Sequence, residues 1–391
     1  MIDKLSPNEC ALCGSCADAC PTSAITFQKE HLDFCYPAVD AAKCISCGLC
    51  ERVCPVLAAG EPAEAQRKAY AARNPDLAVR RNSSSGGVFW ALAKTMLSRG
   101  GYVCGAVFDE EFRVHHLVSN SEADIRRMMG SKYAQSDLTG VYKQVRELLR
   151  KGETILFTGC PCQVAGLSSF LGKKYDNLIT ADVICHGVPS STMLRAYLDH
   201  QEKKHRSRIT FLRFRDKKHG WHRSSVRLQF ENGREYCVPI TADAYMNGFL
   251  GGIYLKESCY SCKFKSFRCG SDLTLGDFWG AEAVCPELDD NTGLSAVIAN
   301  SSKGDKFLQR SGLDLKEGRV ETVEQHNRNL TSPTRMNPRR ESFYQYAREK
   351  GYSSAIADQL TERPWKRLLR ESKYLLRCIV HFLLGREKPL Y

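Results

Sequence analysis

Cysteine spacing constrains this chain more than any other feature. The pattern C-x2-C-x2-C-x3-C-P occurs at Cys10, Cys13, Cys16, Cys20 and Pro21, and again at Cys44, Cys47, Cys50, Cys54 and Pro55. A short loop with a cysteine at every third position delivers three thiolates to one iron–sulfur cube. The fourth cysteine, turned away by its proline, ligates the neighbouring cube. The spacing predicts one [4Fe–4S] cluster on Cys10, Cys13, Cys16 and Cys54, and a second on Cys44, Cys47, Cys50 and Cys20. Zinc takes four ligands in total, usually as two spaced pairs, so two identical four-cysteine runs fit it badly.

Residues 1–60 resemble a bacterial two-cluster ferredoxin, but 391 residues imply two or three domains. Nineteen cysteines in a chain whose first ten residues are polar point to metal chemistry in a reducing compartment rather than to a disulfide scaffold. A cytoplasmic location is the expectation. No apolar run reaches the length of about 18 residues that spans a bilayer. The formal charge of +12 suggests nucleic acid at first sight. Each cluster with its thiolates carries about −2, so the balance is weak support for a nucleic-acid partner and none is expected.

Along the chain, residues 61–79 read as a small, polar linker. Ser83, Ser84, Ser85, Gly86 and Gly87 then precede an apolar-periodic stretch. Serines and glycines before a helix leave N–H groups and hydroxyls open to an anion, so this is either a phosphate cradle or an ordinary N-cap. The loop 130–136 mixes a glycine, Lys132 and Tyr133, and suits either a cofactor-facing loop or a plain turn. Two strand–loop–helix units follow. One carries Cys160 and Cys162 at a helix start, where the dipole lowers a thiol pKa; the other carries Cys185 and His186. They argue for a mainly parallel α/β sheet with ligands at the carboxyl ends of its strands. Residues 208–240 read as three strands with a turn at Asn232-Gly233. The basic loop 216–222 is either a grip for an acidic group or a solvated turn. Cys259 and Cys262 form another metal-type pair, and Asp272 and Asp277 sit near glycines. After about residue 303 the composition turns polar and irregular. In the tail, Trp365, Leu368, Leu369, Leu375, Leu376, Ile379, Val380 and Leu383 share one helical stripe opposite Lys366, Arg370, Lys373 and Arg377. That basic amphipathic helix lies either in a membrane surface or against protein.

Residues 80–305 resemble the family of coenzyme F420 hydrogenase/dehydrogenase beta subunits, in its bacterial form with a fused two-cluster module. The match rests on NSSSGGVF at 82–89, GSKYAQS at 130–136, TGCPCQVAGL at 158–167, ICHGVPS at 184–190, the Cys259/Cys262 pair and SDLTLGDFWG at 271–280. The resemblance implies a flavin, usually FAD, and a third [4Fe–4S] cluster on Cys162, Cys185, Cys259 and Cys262. Cys160 departs from the pattern, where threonine is usual. Ser84, Ser85, Gly86, Gly87, Lys132 and Tyr133 are the candidate flavin contacts; no catalytic residue is assigned. Cys35, Cys104, Cys237, Cys269, Cys285 and Cys378 stand alone and read as structural.

The expected fold is multidomain, mixing α+β and α/β. The divisions are a two-cluster module (1–60), the linker (61–79), a flavin-binding region (80–150), a third-cluster region (151–325), and an extension with the basic helix (326–391). The expected activity is an iron–sulfur flavin-dependent oxidoreductase. It would pass electrons between its clusters, an external carrier such as ferredoxin, and an organic redox substrate, either F420-like or a polysaccharide-pathway metabolite. His186 is expected to hydrogen-bond the third cluster. The alternatives are an electron-transfer subunit serving a separate catalytic partner, and a scaffold in a polysaccharide assembly complex anchored by its basic tail, which would place the protein peripherally at the inner membrane.

Overall fold

The computed structural model describes residues 2–58 and 66–362, together with Ser372 and Leu376. Thirteen strands are present among them: β1 (Ile25–His31), β2 (Phe34–Val39), β3 (Lys68–Arg73), β4 (Tyr102–Phe108), β5 (Val114–Ser119), β6 (Ile155–Gly159), β7 (Leu178–Val183), β8 (Ile209–Asp216), β9 (Ser225–Phe230), β10 (Glu235–Pro239), β11 (Leu273–Asp277), β12 (Ser295–Ala299) and β13 (Asp314–Gly318).

The N-terminal module pairs β1 with β2 antiparallel, and its two cysteine loops repeat one backbone. Leu12 and Ser46, the residues before Cys13 and Cys47, both adopt φ 53°. Gly14 and Gly48 follow with φ 88° and 69° and start the short helices Ser15–Ala19 and Leu49–Arg52. The amides of Cys10 and Cys44 each bond a carbonyl four residues back, and those of Cys20 and Cys54 one three back. The sequence repeat is therefore a structural repeat, with glycine where the left-handed turn demands it.

The main body is an eight-stranded sheet in the order β13-β3-β12-β11-β7-β6-β4-β5. Period-two alternation sets its faces. Tyr70 and Ala72 of β3, with Val297 and Ala299 of β12, pack under the helix Val88–Leu97. Ala69, Ala71, Ala296 and Ile298 face the opposite layer with Trp221 and Phe278. Near β4 and β6 that opposite face is covered by the helices Val141–Arg150 and Pro161–Leu171. They share one apolar core with Ile2, Ala11, Ile25 and Val56 of the N-terminal module. The module is thus docked on the sheet through a common core.

Three expectations need correction. Residues 61–79 are not a linker throughout: Lys68–Arg73 is β3, paired with both β12 and β13, and Leu77–Asn82 is a helix. Four consecutive buried residues place β3 inside the sheet, but their small alanines hide it in the sequence. The sheet is mixed rather than mainly parallel. β4, β6, β7 and β11 pair in parallel, while β5, β12, β3 and β13 join antiparallel. Among the described residues beyond 303, helices and a further strand recur. Arg340–Lys350 and Tyr352–Leu360 are helices whose Phe343, Tyr344, Ile356 and Leu360 enter the core around the three-stranded sheet β10-β9-β8. The basic amphipathic helix expected in the tail, with Cys378, falls outside the described residues apart from Ser372 and Leu376. Among the described residues no helix is long and apolar enough to cross a membrane.

Candidate redox site

The strands β4, β6, β7 and β11 all point the same way, and their carboxyl ends open on one cavity of about 490 Å³. That volume suits a large organic ligand. The loops that reach it are the ones singled out by sequence: Ser83–Ser85 and Gly87, residues 128–134, residues 158–160, residues 183–188, and residues 275–277 with Trp279.

Each wall has a local cause. Ser84 Oγ accepts from the Ser131 N–H at 2.9 Å and meets Ser131 Oγ at 2.8 Å, tying the serine loop to the 130–136 loop. Ser85 Oγ donates to the Leu294 carbonyl. Gly86 is glycine for packing reasons: a Cβ there would lie 2.4 Å from the Ala72 carbonyl oxygen and 2.8 Å from the Ser295 nitrogen. Gly87, at φ 84°, starts the helix Val88–Leu97, whose first N–H groups have no intrahelical partner and face an anion favourably. Lys132 lines the cavity, but its ammonium donates to the carbonyls of Met128, Met129 and Gly130 at 3.0–3.1 Å, closing the helix Glu122–Met128. Tyr133 stacks on Phe249 with centroids 4.6 Å apart.

Several contributors stand in stretches the sequence singles out, but their partners are not legible there. Lys217 is largely buried and donates to the carbonyls of Arg80, Ser85 and Thr292, clamping the serine loop. The basic loop is therefore internal scaffolding at this residue. Asp277 receives Arg215 in a two-point ion pair at 3.0 and 3.2 Å and the Trp221 indole N–H at 3.0 Å. Trp221 in turn lies flat on Trp279, a cavity wall, at 5.1 Å.

The cysteines fall into sets. Cys10, Cys13, Cys16 and Cys54 act on one another electrostatically and line one small cavity with Ile2, Leu5, Phe27 and Val56. This is the quartet expected from the spacing. Cys162 is within electrostatic reach of Cys185, Cys259 and Cys262, and those three of one another. Burial, with the neighbouring thiols, pushes the Cys162 thiol up, overriding the helix dipole that was expected to lower it. Cys160 caps the helix Pro161–Leu171 and lies 3.8 Å, sulfur to sulfur, from Cys185; both line the large cavity. Cys20, Cys44 and Cys50 are half-buried, and Cys47 is exposed. Cys20 and Cys50 pack against the shared core. Of the lone cysteines, Cys104, Cys269 and Cys285 are buried, whereas Cys35 is exposed. His186 does not turn a ring N–H toward the cysteines. Its Nε2 bonds the Phe249 carbonyl at 3.0 Å and its Nδ1 meets the Asn329 amide at 2.9 Å.

Among the described residues, no group of three or more His, Cys, Asp or Glu has the geometry for a single metal ion. A cubane spreads its thiolates over separate corners, so its ligands need not converge on one point as those of a single ion do. Lys256 supports clusters on the two quartets. It is 2% exposed, and its ammonium donates to the Ala11 carbonyl inside the first cysteine loop. Burial opposes its charge, and only anionic forms of the neighbouring Cys162, Cys259 and Cys10 would keep the proton on. A buried cation facing neutral thiols would be costly; facing thiolate-ligated clusters it is compensated.

Comparison with known proteins gives a consistent picture. Residues 9–58 match the 4Fe-4S dicluster domain, so this segment is an iron–sulfur module. Residues 69–143 and 152–326 match the N-terminal and C-terminal parts of the coenzyme F420 hydrogenase/dehydrogenase beta subunit. The chain is 25% identical over 329 residues to a coenzyme F420-dependent sulfite reductase of Methanocaldococcus jannaschii, covering 79% of this chain and 46% of that protein. It is 28% identical over 175 residues to a subunit of the F(420)H(2) dehydrogenase of Methanosarcina mazei, covering 42% of this chain and 49% of that one. The chain spans about half the length of the curated relatives it matches. A chain of the F420-reducing [NiFe] hydrogenase complex from Methanosarcina barkeri aligns at a TM-score of 0.43 and 16% identity, over 85% of this chain and 98% of that one.

Proposed function

The chain belongs to the family of coenzyme F420 hydrogenase/dehydrogenase beta subunits, and from that premise we propose a redox relay linking three iron–sulfur clusters to an organic two-electron partner in the large cavity. The assignment puts clusters on Cys20/Cys44/Cys47/Cys50, on Cys10/Cys13/Cys16/Cys54 and on Cys162/Cys185/Cys259/Cys262. The observation that carries it is the position of Cys185. It belongs to the third quartet and also lines the cavity, while Lys256 joins that quartet to the first cysteine loop. The exposed Cys47 loop is then the entry for an external carrier of the ferredoxin class.

A flavin, for which FAD is the proposal, would supply the exchange between one-electron and two-electron chemistry when bound. Ser84, Ser85 and Gly87, with the open N–H groups of the helix Val88–Leu97, suit its phosphates. Tyr133, Phe249 and Trp279 give an aromatic wall, and Lys132 contributes its stem and the fixed loop rather than a free charge. Arg215 and Asp277 hold Trp279 in place through Trp221. The substrate class we propose is a deazaflavin of the F420 kind, which the names of the relatives carry.

Anaerobic purification with iron, sulfide and flavin counted per chain tests this reading. About twelve irons and one flavin are expected from three cubanes and one cofactor. About eight irons, or iron without flavin, would overturn it. A second reading draws on the half-length match to the relatives: the chain delivers electrons to a separate catalytic partner. Turnover of F420 by the isolated chain with a soluble donor decides against that second reading, and lack of turnover until a partner is added decides for it.

A further inference from the structure

We propose that Lys256 is an electrostatic bridge that sets the reduction potentials of two clusters together, the one on Cys10/Cys13/Cys16/Cys54 and the one on Cys162/Cys185/Cys259/Cys262. This rests on the cluster assignment above and goes beyond it by naming what tunes electron flow between two stations.

The placement is unusual for a lysine. Few lysines are fully buried, because burial removes the ammonium from water, and those that are need anionic company. Lys256 sits three residues before Cys259 and is anchored at both ends. Its amide donates to the Val188 carbonyl at 2.8 Å, just past the Cys185 loop, and its carbonyl accepts from the Cys259 N–H at 2.9 Å. Its side chain then crosses to the other cysteine set and donates to the Ala11 carbonyl, between Cys10 and Cys13. Two residues on, Ser258 Oγ repeats the crossing with a 2.9 Å bond to the Cys10 carbonyl. One buried ammonium therefore lies where the two cysteine sets meet, bonded to the first cysteine loop and carried by the segment that leads into Cys259.

The consequence follows from Coulomb's law in a poorly screened interior. Reduction adds one negative charge to a cluster, and a fixed cation close by favours the reduced form. A cation shared by two clusters raises both potentials and leaves a more distant third unchanged. Lys265 does not duplicate this role on both sides. Its ammonium is bonded to the carbonyls of Cys185 and Asn329, and it acts on Cys185 and Cys262 of the third quartet.

The test is a potentiometric titration of the full chain, purified anaerobically and followed by electron paramagnetic resonance. Wild type is compared with Lys256→Met, which keeps the stem and removes the charge, and with Lys256→Arg, which keeps the charge. Lys256→Met should retain all its iron. Two of its clusters should become harder to reduce by about tenfold in the one-electron equilibrium, which is about 59 mV each. The remaining cluster should not move, and Lys256→Arg should stay near wild type. Unchanged potentials in an iron-replete Lys256→Met would overturn the proposal, as would equal loss of iron from both variants, which would make the residue structural only. Wild type with about eight irons would instead remove the third cluster itself, a failure of the cluster assignment read in the same preparation.

Discussion

The Arg215–Asp277 pair offers a prediction whose size follows from the structure. The two side chains are 8% and 17% exposed, the contact is two-pointed, and the same carboxylate accepts the Trp221 indole N–H. Asp277→Ala leaves a buried guanidinium without its counter-charge, which costs about 3–5 kcal/mol. With a urea dependence of roughly 2–3 kcal/mol per molar, that loss lowers the unfolding midpoint by roughly 1–2 M. Tryptophan fluorescence is the natural probe, because Trp221 and Trp279 are stacked with an interplanar angle of 1° beside the pair. Asp277→Asn keeps the shape and one acceptor and should lose less. Replacing both partners with apolar residues, Arg215→Met with Asp277→Leu, should recover most of the midpoint, since no unpaired charge remains. If Asp277→Ala melts with wild type, the pair is not a buried clamp and the argument for how Trp279 is held fails.

Three more outcomes are expected. Gly86→Ala should fold poorly and retain less flavin, because its Cβ would meet backbone atoms of Ala72 and Ser295 at 2.4 and 2.8 Å; recovery of wild-type stability would contradict the packing account. Asp18→Ala removes the acceptor for the Gly140, Tyr142 and Lys143 N–H groups at 2.7, 2.9 and 3.4 Å, a cap supplied by the N-terminal module to the helix Val141–Arg150. It should cost about 1–2 kcal/mol and speed proteolytic separation of the module from the body; an unchanged cleavage rate would refute the docking role. His116 is buried between Ser136 and the Thr158 carbonyl, and burial pushes its pKa down to about 4 from 6.5. Because the folded value is the lower one, the unfolded chain takes up the proton first as pH falls. Stability should then drop from about pH 6.5 and level off near pH 4, by about 3 kcal/mol in all. His116→Gln should flatten that limb, and an unaltered acid profile would exclude the assignment.

The metal-type cysteines are the most legible part of the sequence because their chemistry is local. Spacing within ten residues dictates which thiols share a loop, and the repeated left-handed residues at Leu12 and Ser46 follow from it. The strand-end loops at Cys160 and Cys185 are also legible, since strand, glycine turn and helix leave a plain trace. β3 is not. Its alanines carry weak strand propensity, and only pairing with β12 and β13 makes them a strand. The roles of Lys132 and Lys217 stay hidden for one physical reason: a lysine near a ligand loop suggests a free cation, whereas here three backbone carbonyls take each ammonium. Lys256 gives no signal beyond standing beside a C-x2-C pair, because its partner Ala11 is 245 residues away.

The most direct test of the relay is an iron count on wild type and Cys162→Ser, prepared together under strict anaerobiosis. The account predicts about twelve irons falling to about eight, with the spectroscopic signal of one cluster lost and those of the other two kept. Equal iron in both proteins would show that Cys162, Cys185, Cys259 and Cys262 hold no cluster, and the path from module to cavity would be broken.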